Sequence, residues 1–238
     1  LVRGGKSGNW NVNGWNMMLR PVLVLDSDEA YPDGKGKEYY LNLLVNESTP
    51  YHDAIPDMLK TYDPVTGLWP ESPGYSFGTI QMLLDWAAPL KRAGIDIIAG
   101  NPILQKAAMA VFPWMDDAAN MVVFGDSRGG SANFQTFENL LAYYAGITDK
   151  AGMEKVASAL NKGISQKKYT RNNAGWTGLC TYTVAIPSVC TENNERASYS
   201  PHHRFITMKN WEGDYKMMFT LYGGKKGYHL TPNGLALQ

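Results

Sequence analysis

The chain has 238 residues, with 22 basic and 22 acidic side chains, 44% hydrophobic residues and 18% charged residues. This composition supplies enough apolar side chains for a large core and excludes a disordered chain, a coiled coil and a collagen-like repeat. The formal net charge of zero gives the whole chain no electrostatic attraction to nucleic acid, which is therefore not an expected partner.

No membrane span is predicted. The most apolar uninterrupted run, residues 21–25, is far shorter than the roughly 20 residues that a spanning helix needs. The first residues lack an initiator Met and the residue order of a signal peptide, and the last ones read as a strand, so we expect a piece of a longer protein. Cys180 and Cys190 form either a hairpin disulfide or two buried thiols, and their spacing is not that of a zinc site.

Helices are predicted up to about residue 165, joined by Gly- and Pro-rich loops. The first helix is expected from about Val12 to Leu25, with Pro21 as a kink or a restart. Four further apolar stripes recur at helical spacing: Phe77, Ile80, Leu84 and Ala87 before Gly94; Ile103, Leu104, Ala107, Ala108, Val111 and Phe112; Phe134, Phe137, Leu140, Leu141 and Tyr144 before Gly146; and Met153, Val156, Ala157 and Leu160. Each helix has one apolar face, so the helices must pack in layers.

The period becomes alternating after about residue 195. Residues 205–209 and 215–221, separated by a turn at 210–213, predict a β-hairpin in which Met217, Phe219 and Leu221 share a face with Tyr215. Residues 162–196 read as a connector. The sequence thus predicts a mainly α part at 1–195 and an antiparallel β part at 196–238.

A first cluster of polar and aromatic residues lies at the beginning of the first helix. It contains three amides, Asn9, Asn11 and Asn13, and two indoles, Trp10 and Trp15. The amides are good helix caps and the indoles are good core residues. Equally, an amide can donate hydrogen bonds to an anionic substrate while Trp10 or Trp15 stacks on a sugar ring.

A second cluster enters the Phe77 helix through an irregular loop at residues 67–78. Its glycines and prolines fix the backbone, as in loops that carry functional side chains on a rigid scaffold. Tyr75 lies at the helix entrance, where its hydroxyl is either buried and bonded to backbone or catalytic.

Two further clusters contain basic residues. Arg128 can bind a carboxylate or sulfate with Asp126 orienting it, or the two can form a surface pair. Lys225 and His229 lie in a Gly-rich loop, which is either a solvated turn or a surface facing an acidic polysaccharide. The four histidines are scattered, and neither a metal nor a cofactor is predicted.

In this order, the clusters resemble polysaccharide lyases of the heparinase II/III type, which have an α/α toroid followed by β-sandwich domains. Three segments carry this resemblance: the Asn9-Trp10 helix, the loop 69–75 with Glu71, Pro73 and Tyr75, and residues 224–237 with His229. The Arg128 loop and residues 200–204 resemble the related chondroitin and hyaluronan lyases, which share the same order of Asn-Trp helix, tyrosine loop and arginine loop. There are departures in the first three segments: Trp10 and Glu71 stand where many relatives carry a histidine, and Thr231 replaces the second histidine after His229.

The resemblance implies an incomplete toroid, the first antiparallel strands of a sandwich, and β-elimination in an acidic polysaccharide containing uronic acid. Tyr75 is implied as the catalytic acid/base, Asn9 as the group that neutralises the carboxylate, His229 as a second acid/base and Glu71 as an orienting residue. Substrate binding is implied for Trp10, Asn13, Trp69, Arg128 and Lys225. Because such relatives degrade polymers, the resemblance also implies that this protein is exported to the periplasm or the cell exterior.

Two other functions remain open. An inverting glycoside hydrolase on a similar toroid would use two carboxylates such as Glu71 and Asp126. A non-catalytic sugar-binding protein would use Trp10, Trp15, Trp69 and Tyr75 only for stacking.

Overall fold

The computed structural model describes residues 8–116, 118–123, 125, 130–143, 150–171, 178–179, 186–188, 195–201, 204–210, 212 and 217–223, and the backbone of 235–237. Its helices are α1 (Asn9–Leu23), α2 (Lys37–Val45), α3 (Ile55–Leu59), α4 (Pro73–Arg92), α5 (Ile103–Met109), α6 (Phe134–Tyr143) and α7 (Lys150–Ser165). Its strands are β1 (Asn120–Met121), β2 (Gly130–Ser131), β3 (Ala197–Ser200), β4 (Phe205–Asn210), β5 (Met217–Tyr222) and β6 (Leu235–Leu237). The fold is therefore mainly α with two small antiparallel sheets, as the sequence predicts at this level.

The predicted helices agree with the observed ones apart from their ends. The first helix begins at Asn9 rather than Val12 and contains Pro21 in its last turn. Gly94 ends α4 as predicted: its φ is +86°, its N–H donates to the Lys91 carbonyl, and the N–H of Ile95 donates to the Leu90 carbonyl. This pair of bonds is the Schellman arrangement, which satisfies carbonyls at the end of a helix.

Contacts at successive positions, including that of Asn16 with Trp86, show that α1, α4 and α6 run in the same direction. The backbone N–H of Asn9 at the beginning of α1 donates to Glu71, just before α4. Phe77 near the beginning of α4 packs on Phe137 of α6 at a ring distance of 5.8 Å, and Tyr143 at the end of α6 donates to the Leu84 carbonyl.

The helices α2, α5 and α7 run in the opposite direction. The Trp15 indole donates to the carbonyl of Leu44, near the end of α2, and Leu23 at the end of α1 shares a groove with Lys37 at the beginning of α2. Gly163, near the end of α7, lies against the ring of Phe134 at the beginning of α6. Three antiparallel pairs, α1–α2, α4–α5 and α6–α7, therefore follow one another, with α5 returning so that Val111 meets the beginning of α4.

The larger sheet has the order β3-β4-β5-β6, all antiparallel. The predicted hairpin is confirmed, with Asn210 opposite Met217 and Phe205 opposite Tyr222. The predicted face is not the buried one: Met218, Thr220 and Tyr222 are buried, whereas Met217 is 54% exposed. Period-two alternation defines which residues share a face, but not which face turns inward.

Polar contacts hold the inner face of this sheet on the helical part. Lys209 Nζ donates to the Phe112 carbonyl over 2.7 Å, and the Ser200 hydroxyl donates to the Asp63 carboxylate. Phe205 packs on Trp114 with ring centroids 5.3 Å apart. The sheet begins at Ala197, and the predicted division into domains 1–195 and 196–238 stays a prediction.

Candidate active site

Glu71 connects the beginnings of α1 and α4. Its Oε1 accepts a hydrogen bond from the backbone N–H of Asn9 over 3.3 Å, and its side chain is only 3% exposed. A carboxylate is favourable there because the N-terminus of a helix carries a partial positive charge. Gly8 has a φ of +80°, and a Cβ at that position would lie 3.0 Å from Glu71 Oε1, so a glycine permits this approach.

Tyr75 lies in the first turn of α4, close in sequence to Glu71. Ser72 occupies the N-cap position and Pro73 is the first helical residue. The Ser76 hydroxyl lies 2.9 Å from the Glu71 carbonyl and 3.1 Å from the Trp69 carbonyl, which fastens the loop to the helix. Tyr75 itself is half-buried. The segments carrying Asn9, Glu71 and Tyr75 therefore meet at one corner of the fold.

A second tyrosine near this corner has a structural role. Tyr62 is 2% exposed and its hydroxyl lies 3.0 Å from Thr79 Oγ1. Burial raises the pKa of Tyr62 well above its ordinary value, and the nearby Glu71 carboxylate raises it further. Tyr62 thus stays protonated, and of the two tyrosines Tyr75 is the more exposed.

The amides and indoles of the first cluster divide into accessible and structural residues. Trp10 is 62% exposed, and Asn13 is half-buried on the adjoining surface of α1. Asn11 is buried and exchanges two hydrogen bonds with the backbone of Asp53, at 2.9 and 3.0 Å. Trp15 is a core residue. Of the two indoles in this cluster, Trp10 is therefore the accessible one.

Trp69 lies in the core, in disagreement with its predicted role in stacking on substrate. It is 1% exposed and packs edge-on against Tyr62 at 4.8 Å. Its Nε1 has no hydrogen-bond partner among the described residues, and a cavity of about 10 Å³, space for one water at most, lies beside it. In the Pro- and Gly-rich loop, Leu68 and Trp69 cover the beginning of α4, so this indole lies in the core.

The remaining predicted site residues, Arg128, Lys225 and His229, lie outside the described residues, as do Asp126 and both cysteines. In the part of the chain that the structure describes, no group of three His, Cys, Asp or Glu side chains could hold a metal ion. None of the described helices is long and apolar enough to cross a bilayer.

A polar network between α4 and α6 was not predicted. Asn139 donates to Asp85 and Gln135 donates to Asn139, both over 2.9 Å. Arg171 Nε donates over 2.9 Å to Glu138, which is 1% exposed. Burial raises the pKa of Asp85. The sequence signal was present: Gln135, Glu138 and Asn139 are spaced to share one face of a helix that is otherwise apolar.

Comparisons with protein-family models, with curated proteins and with solved structures find no match for this chain.

Proposed function

We propose that this protein is a polysaccharide lyase that cleaves a uronic-acid-containing polysaccharide by β-elimination. The observation that carries the proposal is the hydrogen bond that joins Asn9 to Glu71, four residues before Tyr75 in the first turn of α4. This corner combines an amide donor, two helix N-termini and a half-buried phenol, which are the groups that this chemistry uses. The exposed Trp10 beside Asn9 supplies a stacking surface for a sugar ring.

In the proposed reaction, a base removes the C5 proton of the uronate and the C4–O bond breaks. The electron pair of the C5–H bond forms the C4–C5 double bond, and the departing C4 oxygen takes up a proton. The Asn9 amide would stabilise the charge that develops on the carboxylate group. Tyr75 would be the base as a phenolate or the acid as a phenol. Arg128, Lys225 and His229 keep their predicted roles in binding and proton transfer.

The finer architecture belongs to the same proposal. Three helix pairs in which α1, α4 and α6 run parallel are consistent with part of an α/α toroid. The outward face of the larger sheet is rich in apolar residues, among them Tyr199, Met208 and Met217, which are 57%, 48% and 54% exposed. Such a face suits the packing of a second sheet, as in a β-sandwich. Action on a polymer also suits a periplasmic or extracellular location.

The test is a panel of heparan sulfate, hyaluronan, chondroitin sulfate and alginate, with two measurements for each. Ultraviolet absorbance reports the new double bond, and a reducing-end assay reports every cleavage. A lyase produces both signals in equal amounts. New reducing ends without absorbance would establish the hydrolase instead, and binding without either signal would establish a binding protein.

Tyr75→Phe should abolish the absorbance signal while binding of the polymer persists, because the ring remains and only the hydroxyl is lost. Tyr51→Phe is the matched control, since Tyr51 is 68% exposed and outside the corner. Asn9→Ala should lower kcat more than it raises KM, because its amide acts mainly in the transition state. Full activity of Tyr75→Phe would remove Tyr75 from the mechanism.

A further inference from the structure

The surface of α1 beside the Asn9 corner carries a row of amides, Asn9, Asn13 and Asn16. Their spacing of four and three residues places them on one face of the helix. All three are half-buried, and exposed Arg20 continues the row one turn later. The row is therefore partly accessible along this face of α1.

Trp86 fixes the orientation of Asn16. Trp86 is 3% exposed, and its indole N–H donates a hydrogen bond to Asn16 Oδ1. An indole N–H is a donor only, so the oxygen of the Asn16 amide must face Trp86 and the NH₂ group must face the other way. Nδ2 of Asn16 donates to no residue that the structure describes. The core thus presents a prepositioned donor on the surface of α1.

We propose that Asn16 binds the carboxylate of a second uronate of an acidic oligosaccharide, further along the sugar chain from the uronate at Asn9 and Tyr75. This proposal rests on the proposed function, since the Tyr75 corner defines where the first sugar lies. Asn16 is about 10 Å along the helix axis from Asn9, too far for both amides to hold the same carboxylate. The favoured substrate therefore carries carboxylates on more than one sugar, and Trp86 is a positioning residue for its binding.

Asn16→Asp tests the inference with little change of structure. An aspartate is isosteric and still accepts the Trp86 hydrogen bond, but it replaces the NH₂ donor with a negatively charged oxygen. Binding of hexasaccharides from the four polymers, measured by calorimetry in the Tyr75→Phe background, should weaken about tenfold or more. In the Tyr75-containing enzyme, KM should rise with little change in kcat. Asn46→Asp makes the same chemical change on α2, away from the row, and should leave both values unchanged.

A second probe separates charge recognition from a general loss of binding. Carboxyl-reduced hexasaccharides lack the proposed ligand of Asn16, so Asn16→Asp should weaken their binding much less than that of the acidic ones. Trp86→Phe should weaken acidic binding in part, because it releases the Asn16 amide. Thermal unfolding of each variant reports any change in stability.

The outcomes for the two proposals are distinguishable. If hexasaccharides are cleaved and Asn16→Asp binds them like the unmutated protein, the inference about Asn16 is wrong and the lyase stands. If none is cleaved but acidic binding depends on Asn16, the lyase is wrong and the binding site stands. Equal losses for acidic and reduced probes, or no binding of any hexasaccharide, would also overturn the inference.

Discussion

Lys209 makes the stability of this fold depend on pH in a way that can be calculated. It is 7% exposed on the inner face of the larger sheet, with its Nζ on the Phe112 carbonyl. Burial lowers the pKa of Lys209 from 10.5 to about 8, against the smaller opposing effect of Glu195. The folded state therefore releases its proton at lower pH than the unfolded state does.

The sign and size follow from proton linkage. Between pH 8 and 10.5 the unfolded chain holds the Lys209 proton and the folded chain does not, so this group makes the free energy of unfolding rise with pH. The full difference corresponds to about 3 kcal/mol, of which about 2 kcal/mol falls between pH 7.5 and 10. Below pH 8 the folded protein also holds the Lys209 proton and has to bury a charged ammonium group, so this gain in stability is absent.

Urea unfolding of the protein and of Lys209→Met, at pH 7.5 and at pH 10, measures the effect. The difference in free energy of unfolding between the two proteins should change by about 2 kcal/mol over this interval, in favour of the unmutated protein at high pH. Lys106→Met is the matched control, since exposed Lys106 also donates to a backbone carbonyl, that of Pro64, over 2.7 Å. Parallel curves for the protein and Lys209→Met would refute the reasoning.

Further variants test the packing of Gly163 on α6 and the buried ion pair of Glu138 with Arg171. Gly163→Ala should destabilise the protein by about 1–3 kcal/mol, because the new Cβ would lie 2.5 Å from the Phe134 ring; Gly78→Ala, which meets nothing within 4 Å, should instead be neutral or stabilising by up to about 1 kcal/mol in the same urea experiment. Arg171→Met should cost about 3–5 kcal/mol at neutral pH, because it leaves the buried Glu138 carboxylate without its cation. Adding Glu138→Gln should recover part of that loss, and an unchanged midpoint for Arg171→Met would show that the pair contributes nothing.

Much of the secondary structure follows from sequence periodicity alone. The apolar stripes of α4, α5, α6 and α7 and the β4–β5 hairpin are local patterns that each element needs in order to bury one face. The end of α4 was equally predictable, because Gly94 adopts a positive φ that other residues rarely adopt.

The positions of individual side chains were less predictable because they depend on distant partners. Nothing near Trp69 in sequence shows that Tyr62 and the beginning of α4 enclose it. Both faces of β5 carry apolar residues, so its inner face depends on how the neighbouring strand docks, through contacts such as Lys209 with the Phe112 carbonyl. The donor direction of Asn16 depends on Trp86, 70 residues later in the chain.

The burial of Glu71 bears on the choice between elimination and hydrolysis. A hydrolase that used Glu71 would need this carboxyl group to reach the glycosidic oxygen or a water. At 3% exposure, with Oε1 on the Asn9 backbone, Glu71 is held as part of the scaffold at the beginning of α1. Tyr75, in contrast, is half-buried in the first turn of α4. The burial of Glu71 therefore weighs against the hydrolase and supports the proposed elimination, in which Tyr75 and not Glu71 moves the proton.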